Sequence, residues 1–275
     1  MKPIDPKGFF SCDYEPVLTV DPGEAVVFSS LDSGWRWDPE IQEPTPDHAG
    51  HALHGPIEVR GARAGGTLAV QFDEVTPRSW GVTFARDLRL LWSLDGDTWI
   101  SERGSRVAAA PFLGVIGMPP PEPGEHSTIP PRLWGGNIDC KELVAGTTLY
   151  LPIPVDGALL MGGDGHGAQG DGEVSGTAIE CPLERVTLTL DVVNLELRSP
   201  IARTRDAWIT LGFDEDLDAA AGQATETMLD LMEHELGVSR AEALALASVC
   251  VDLRVTQVVN EVKGVHAVLR DGAIR

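Results

Sequence analysis

Val186-Thr187-Leu188-Thr189-Leu190 alternates apolar and polar side chains, with β-branched residues at 186, 187 and 189. A period of two puts one face of a strand on a core and the other toward solvent, and it does not suit a helix. Working outward, the same signature recurs at 147–151 (TTLYL), 67–72 (TLAVQF), 25–28 (AVVF) and 17–20 (VLTV), with glycine or proline between the runs. Residues 90–100 (LLWSLDGDTWI) read as a hairpin, because Asp95-Gly96 accepts the positive φ angles of a tight turn. With 30 glycines and 20 prolines, the chain favours many turns and short strands. The expected fold class is mainly β, sandwich- or barrel-like, with a smaller C-terminal α+β portion.

That C-terminal portion begins where the character changes, near residue 214. Residues 216–236 form an expected helix with Met228, Leu229, Met232 and Leu236 on one face and Gly237 as its stop. Ser239 and Glu242 match a capping box opening a second helix through about Ser248, and a strand follows at 251–259 with Val251, Leu253 and Val255 inward. We expect a β-rich unit over 1–210 and an α+β portion over 211–275 packed on it. Six prolines in 118–132 exclude a helix or a central strand there, leaving an ordered surface loop or a linker, of which the loop is favoured. No repeat of 20–50 residues stands out.

The formal net charge of −21 repels phosphate backbones and anionic lipid surfaces, so neither nucleic acid nor membrane is an expected partner. The start Met-Lys-Pro-Ile-Asp lacks the apolar core of a secretory leader, and the expected location is cytoplasmic. Cys12, Cys140, Cys181 and Cys250 are widely spaced and form no metal-knuckle or disulfide framework, so reduced thiols are expected.

Residues 162–173 (GGDGHGAQGDGE) hold six glycines, three acids and a histidine. Asp164, His166, Asp171 and Glu173 are ligand types for a divalent cation, and the imidazole tilts the choice toward a transition metal. Glycines 163, 165, 170 and 172 would let the backbone turn tightly around an ion. The spacing breaks an EF-hand at Ala168 and matches no phosphate loop; a glycine-rich hairpin with solvated acids is the plain alternative. Residues 135–139 (GGNID) repeat the pairing of glycines with an amide and a carboxylate, and 50–56 (GHALHGP) adds His51 and His54, of which one at most is a candidate ligand. Ser175 misses the Gly-x-Ser-x-Gly elbow by one position, and Cys140 reads best as a small buried hydrophobe.

Taken in order, 50–62, 111–117 (PFLGVIG), 135–139, 163–174, 176–180 (GTAIE) and 252–260 (DLRVTQVVN) resemble the acetamidase/formamidase family over nearly the whole chain. The resemblance implies a hydrolase of carbon–nitrogen bonds in small linear amides. It matches His51, Asn137, Asp139, His166, Gln169, Asp171 and Glu173 to functional positions. On that basis His51, Asp139 and His166 are expected metal ligands, with zinc first and calcium or manganese as alternatives. Glu173 or Asp171 is the expected general base, while Asn137 and Gln169 orient the amide or its oxyanion. Two positions depart from the family pattern: Gly65-Gly66 stands where Gly-Asp is usual, and Cys140 where a small polar residue is. The chain resembles the short form of the family, and a homodimer is the base-rate expectation. The rival readings are a non-enzymatic metal- or ligand-binding β protein, and a metal-independent amidase using Cys140.

Overall fold

The computed structural model describes residues 6–42 and 50–275, so the leader reading of residues 1–5 lies outside it. Strands make up 45% of the described residues and helices 12%, a mainly β fold as expected. The strand read first from the sequence is Leu183–Val193, one of eight in an antiparallel sheet. The sheet runs Val251–Gln257, Lys263–Arg270, Ala207–Asp214, Ile201–Arg203, Thr148–Pro152, Thr67–Pro77, Leu183–Val193, Glu24–Ser30. Its alternation works as the period of two requires. Val186, Leu188 and Leu190 stand opposite Val75, Phe72 and Val70, all buried, whereas Thr187 and Thr189 reach the other face.

A second sheet of five strands packs on that apolar face: Leu18–Val20, Leu53–Val59, Leu160–His166, Phe112–Gly117 and Gly135–Asn137. One cluster of buried side chains draws Leu68, Val70, Phe72 and Leu188 from the large sheet and Ile57, Leu113, Ile116 and Leu160 from the small one. On the outer side of the small sheet, Phe10 of the N-terminal segment packs with Leu53, Val115 and Met161. Covered on both faces, the strands 112–117 and 160–166 are buried along their full length. The hairpin at 90–100 is present, Asp95 pairing with Thr98 around Gly96, within a four-stranded sheet. Its Trp99 indole is buried and donates to the Gly167 carbonyl at 3.0 Å, fastening the hairpin to the glycine-rich segment.

Residues 118–132 are a surface loop, tied down by reciprocal backbone bonds between Phe10 and His126 and by the buried Thr128. Helices α1 (Leu217–Leu236) and α2 (Arg240–Cys250) cover the large sheet opposite the sandwich core. The Asp216 carboxylate accepts from the first-turn amides of α1, Gly237 ends it at φ 67°, and Ser239 caps α2. Gly212 lets α1 touch the sheet: a Cβ there would lie 2.1 Å from the Ala220 carbonyl oxygen. Two details depart from the sequence reading. Leu236 is 39% exposed, the inward stripe running instead through Ala220, Ala224, Met228 and Met232. Leu253 is 53% exposed on the edge strand of the large sheet, and a register shift between Val255 and Gln257 breaks the alternation beyond it, burying Thr256 and Gln257 in succession. The division placed near residue 210 falls inside the strand Ala207–Asp214, which belongs to the large sheet throughout. Among the described residues, no helix is long and apolar enough to cross a membrane.

Candidate metal and acid–base centre

Asp164 and His166 are two apart on one strand, so their side chains leave the same face. The His166 Nε2 lies 3.3 Å from Asp164 Oδ2 and 3.5 Å from Glu180 Oε2. Its Nδ1 lies 3.0 Å from Gln169 Oε1, and the Gln169 amide in turn donates to the Asp139 carbonyl at 2.8 Å. His51 approaches from the neighbouring strand entrance, its Nε2 3.9 Å from the same Asp164 Oδ2 and its Nδ1 2.9 Å from Thr128 Oγ1. With both Nδ1 atoms engaged, both Nε2 atoms face the carboxylates, an arrangement common to metal-binding histidines. Asp139 and Glu173 gather at the same imidazole, the Asp139 Oδ1 at 3.9 Å from its Nδ1.

Asp164 is 2% and Glu173 7% exposed, which removes the reading of a hairpin with solvated acids. Asp139 Oδ1, Asp164 Oδ1 and Glu180 Oε2 are buried with no hydrogen-bond partner. Orphaned carboxylate oxygens around two imidazole nitrogens are costly as they stand, and a divalent cation would satisfy them. The donor set, oxygen and nitrogen, suits zinc, manganese or calcium by chemistry.

Electrostatics divides the acids into two kinds. Burial, reinforced by Glu173, pushes Asp139 well above the usual carboxylate range. Burial likewise raises Glu173 to about 7, with Glu180 and Asp164 adding to it against the opposing pull of His166. Burial acts on Asp164 too, but His166 and His51 outweigh it and hold that group below the ordinary value. For His166, burial opposes the charged form, yet Glu180 and Asp164 lift it well above an ordinary imidazole.

The glycines have a different duty from the one expected of them. Gly163 and Gly165 are extended strand residues whose Cβ atoms would meet the Ala52 and Cys181 carbonyl oxygens at 2.1 and 2.3 Å, so they permit close strand packing. The left-handed positions are taken by the acids themselves: Asp139 at φ 51°, Asp164 at 58° and Glu173 at 43°. Strain of this kind, here at three charged residues of one cluster, collects at active sites and ligand clamps. Gly172 does turn at φ 94°, and it is pinned to the C-terminal strand by bonds to the Thr256 carbonyl and from the Val258 amide. Beyond that strand, the buried Gln257 side chain gathers the amides of Val259 and Asn260 and donates to the Val262 carbonyl. The turn so formed delivers the Asn260 amide to Asp139 Oδ2.

An acetamidase from Bacillus halodurans of known structure superposes with a TM-score of 0.87, covering 97% of this chain and 95% of that one at 31% identity. The chain belongs to the acetamidase/formamidase family. The acetamidase/formamidase family model matches residues 122–206. A predicted acetamidase/formamidase from Thermoanaerobacter tengcongensis also superposes at 0.87, covering 96% of this chain and 92% of that one at 26% identity. An acetamidase of Mycolicibacterium smegmatis is 50% identical over 48 residues, which span 18% of this chain and 12% of that protein.

Within this acetamidase/formamidase chain, the structure brings together His51, Asp139, His166, Gln169 and Glu173 from the expected set. Asn137 is buried two residues before Asp139, its Oδ1 without a partner. Asp171 points elsewhere: it is exposed and pairs with Lys141 at 2.8 Å. Asp171→Asn is therefore expected to keep turnover within about twofold of the parent, since an exposed pair is worth little. A hundredfold loss in steady-state assays would return it to the site. The Cys140 thiol is fully buried, donates to Glu142 at 3.4 Å and is pushed well up by burial and by that carboxylate, the opposite of an activated nucleophile.

Sequence reasoning left Glu180, Asn260, Thr128 and Gly114 out of the site and dropped Asp164 from the ligands. Glu180 and Asn260 each close one of the matched elements, at 176–180 and 252–260, which was the available signal.

His54 is separate from the centre, its ring 6.0 Å from Phe28 of the large sheet, and burial lowers it to about 4. A depressed histidine stays neutral in the fold but charges in the unfolded chain, so stability is complete above pH 6.5 and falls as pH drops toward 4. The loss by pH 5 is roughly 2 kcal/mol. His54→Phe should lose correspondingly less stability than the parent between pH 8 and pH 5 in urea titrations; parallel pH profiles would contradict the assignment.

Proposed function

We propose that this protein hydrolyses small linear amides of the formamide and acetamide type to a carboxylate and ammonia, assisted by a divalent cation, zinc in the first instance. The observation that carries this reading is the junction of two unlike carboxylate groups at His166. Asp164 Oδ2 and the orphaned Glu180 Oε2 face the His166 Nε2, with His51 on the same Asp164 oxygen, while Asp139 and Glu173, both raised by burial, form a proton-holding pair beside the same ring. His51, Asp164, His166 and Glu180 would hold the cation, and Asp139, expected as a ligand, is assigned instead to the pair. When bound, such an ion polarises an amide carbonyl and acidifies water.

The protein's own groups do the proton work. Glu173, raised to about 7, is poised to take a proton from the attacking water and return it to the departing nitrogen as the carbon–nitrogen bond breaks. Burial keeps Glu173 in that range, with Glu180 and Asp164 adding to it, while Asp139, fixed by Asn260, orients it through a side-chain hydrogen bond. Gln169 spans His166 and the Asp139 backbone, and the free Oδ1 of Asn137 is available to accept from the substrate NH2 group. Burial of nearly every group, with His51 and Glu173 at the solvent side, favours substrates of a few atoms.

The test is ammonia release from formamide, acetamide and propionamide by chelator-treated protein, with and without added zinc, manganese or calcium. Turnover restored by one ion is expected, with a rise in thermal midpoint on its addition. Folded protein that binds metal and releases no ammonia from any of the three would favour the non-enzymatic binding protein.

A further inference from the structure

Cys140 follows Asp139 directly, yet its side chain belongs to a different cluster. Its Sγ lies 3.4 Å from Glu142 Oε2, and His266 Nε2 lies 3.5 Å from the same oxygen. The three ligand atoms are all within 4.8 Å of one another, Cys140 and His266 are fully buried, and the Glu142 side chain is 18% exposed. His266 contacts Thr256 Oγ1 through Nδ1 at 2.8 Å, while its Nε2 has no hydrogen-bond partner and points into the cluster. The second Glu142 oxygen is held by Arg254 at 3.1 Å.

We propose that Cys140, Glu142 and His266 form a second metal site, a thiolate-bearing zinc site distinct from the His166 centre. Tetrahedral zinc with one sulfur, one imidazole and one carboxylate ligand sets its ligand atoms about 3.3–3.6 Å apart. The two measured separations from Glu142 Oε2, 3.4 and 3.5 Å, match that spacing before any ion is placed. The outer partners match as well: a metal-binding histidine commonly engages its other ring nitrogen, as His266 does with Thr256, and a ligating carboxylate is commonly held at its free oxygen, as Arg254 holds Glu142. A soft sulfur donor selects zinc over calcium or magnesium. Binding breaks the Cys140 S–H bond, the electron pair going to the metal and the proton to solvent. A cavity of about 470 Å³ lined by Glu142, Arg254 and Thr147 supplies the access route. The proposal does not depend on amide hydrolysis, since it concerns different side chains.

Sulfur is the discriminating feature, because the His166 centre has only oxygen and nitrogen donors. The full chain, stripped of metal, is titrated with cobalt(II) and the near-ultraviolet thiolate-to-cobalt absorption recorded. The band is expected in the parent and in Cys12→Ser, Cys181→Ser and Cys250→Ser, and to fall below a tenth of its intensity in Cys140→Ser and His266→Gln. X-ray absorption of the zinc-loaded parent should show one sulfur at about 2.3 Å. That measurement decides the matter if Cys140→Ser does not fold. Cobalt bound without a thiolate band, a band surviving in Cys140→Ser, or zinc with no sulfur neighbour would each overturn the proposal and leave a plain Glu142–His266 pair.

Discussion

Gly114→Ala should lower amide turnover by at least 100-fold while leaving the far-ultraviolet circular dichroism of the protein unchanged. Gly114 lies in the strand Phe112–Gly117 with an ordinary extended backbone, so alanine imposes no conformational penalty there. What it adds is a methyl group 2.7 Å from Asp164 Oδ2, 2.7 Å from the His166 Cε1 and 2.8 Å from Asp139 Oδ1. Carbon does not approach oxygen that closely, and each of the three side chains is packed against its own neighbours. The cluster must open by an appreciable fraction of an ångström. Misplacement of about 1 Å in a reacting constellation costs on the order of 100-fold. Metal affinity should fall with it. Unchanged kcat/KM in a well-folded Gly114→Ala protein would mean that chemistry occurs away from the His166 centre.

Glu173→Gln is the second large effect expected, a loss of about 100- to 10,000-fold in kcat, the span general acid–base groups contribute. Glutamine is nearly isosteric and can keep the φ of 43° as well as glutamate does, so the segment should stay in place. Two further readouts separate this from simple damage. Metal content should equal that of the parent, because Glu173 is outside the proposed ligand set of His51, Asp164, His166 and Glu180. Thermal stability should hold or rise, because a buried acid next to Asp139 is exchanged for a neutral amide. If activity survives, Glu173 carries no proton in the reaction; if metal is lost along with activity, it is a ligand.

The sandwich was legible in Val186-Thr187-Leu188-Thr189-Leu190 and its counterpart at 67–72, because one face of the large sheet meets the core and the other does not. Caps at Asp216, Gly237 and Ser239 were legible because they depend on local backbone geometry. The strands 112–117 and 160–166 gave no alternation to read. Both faces of their sheet are covered, and glycines replace side chains where neighbouring strands crowd in. The site followed the same division. His166, Glu173 and Gln169 stood out in one dense motif, whereas Glu180 and Asn260 reach Asp164 and Asp139 only through tertiary contacts. Asp171 misled by proximity. Two positions from Glu173, it sits across the turn at Gly172 and faces Lys141 and solvent.

The pairing of Gly172 with residues 256–258, and of Asp139 with Asn260, has a consequence for the order in which the molecule is assembled. Contacts between residues separated by some 85 to 120 positions are among the slowest to form, since the intervening chain must be ordered first. Until the strand Val251–Gln257 has paired, Gly172 lacks the partners that seat it and Asp139 lacks Asn260. The His166 centre is therefore complete only once residues 256–260 have paired with Gly172 and Asp139, however early the rest of the sandwich forms.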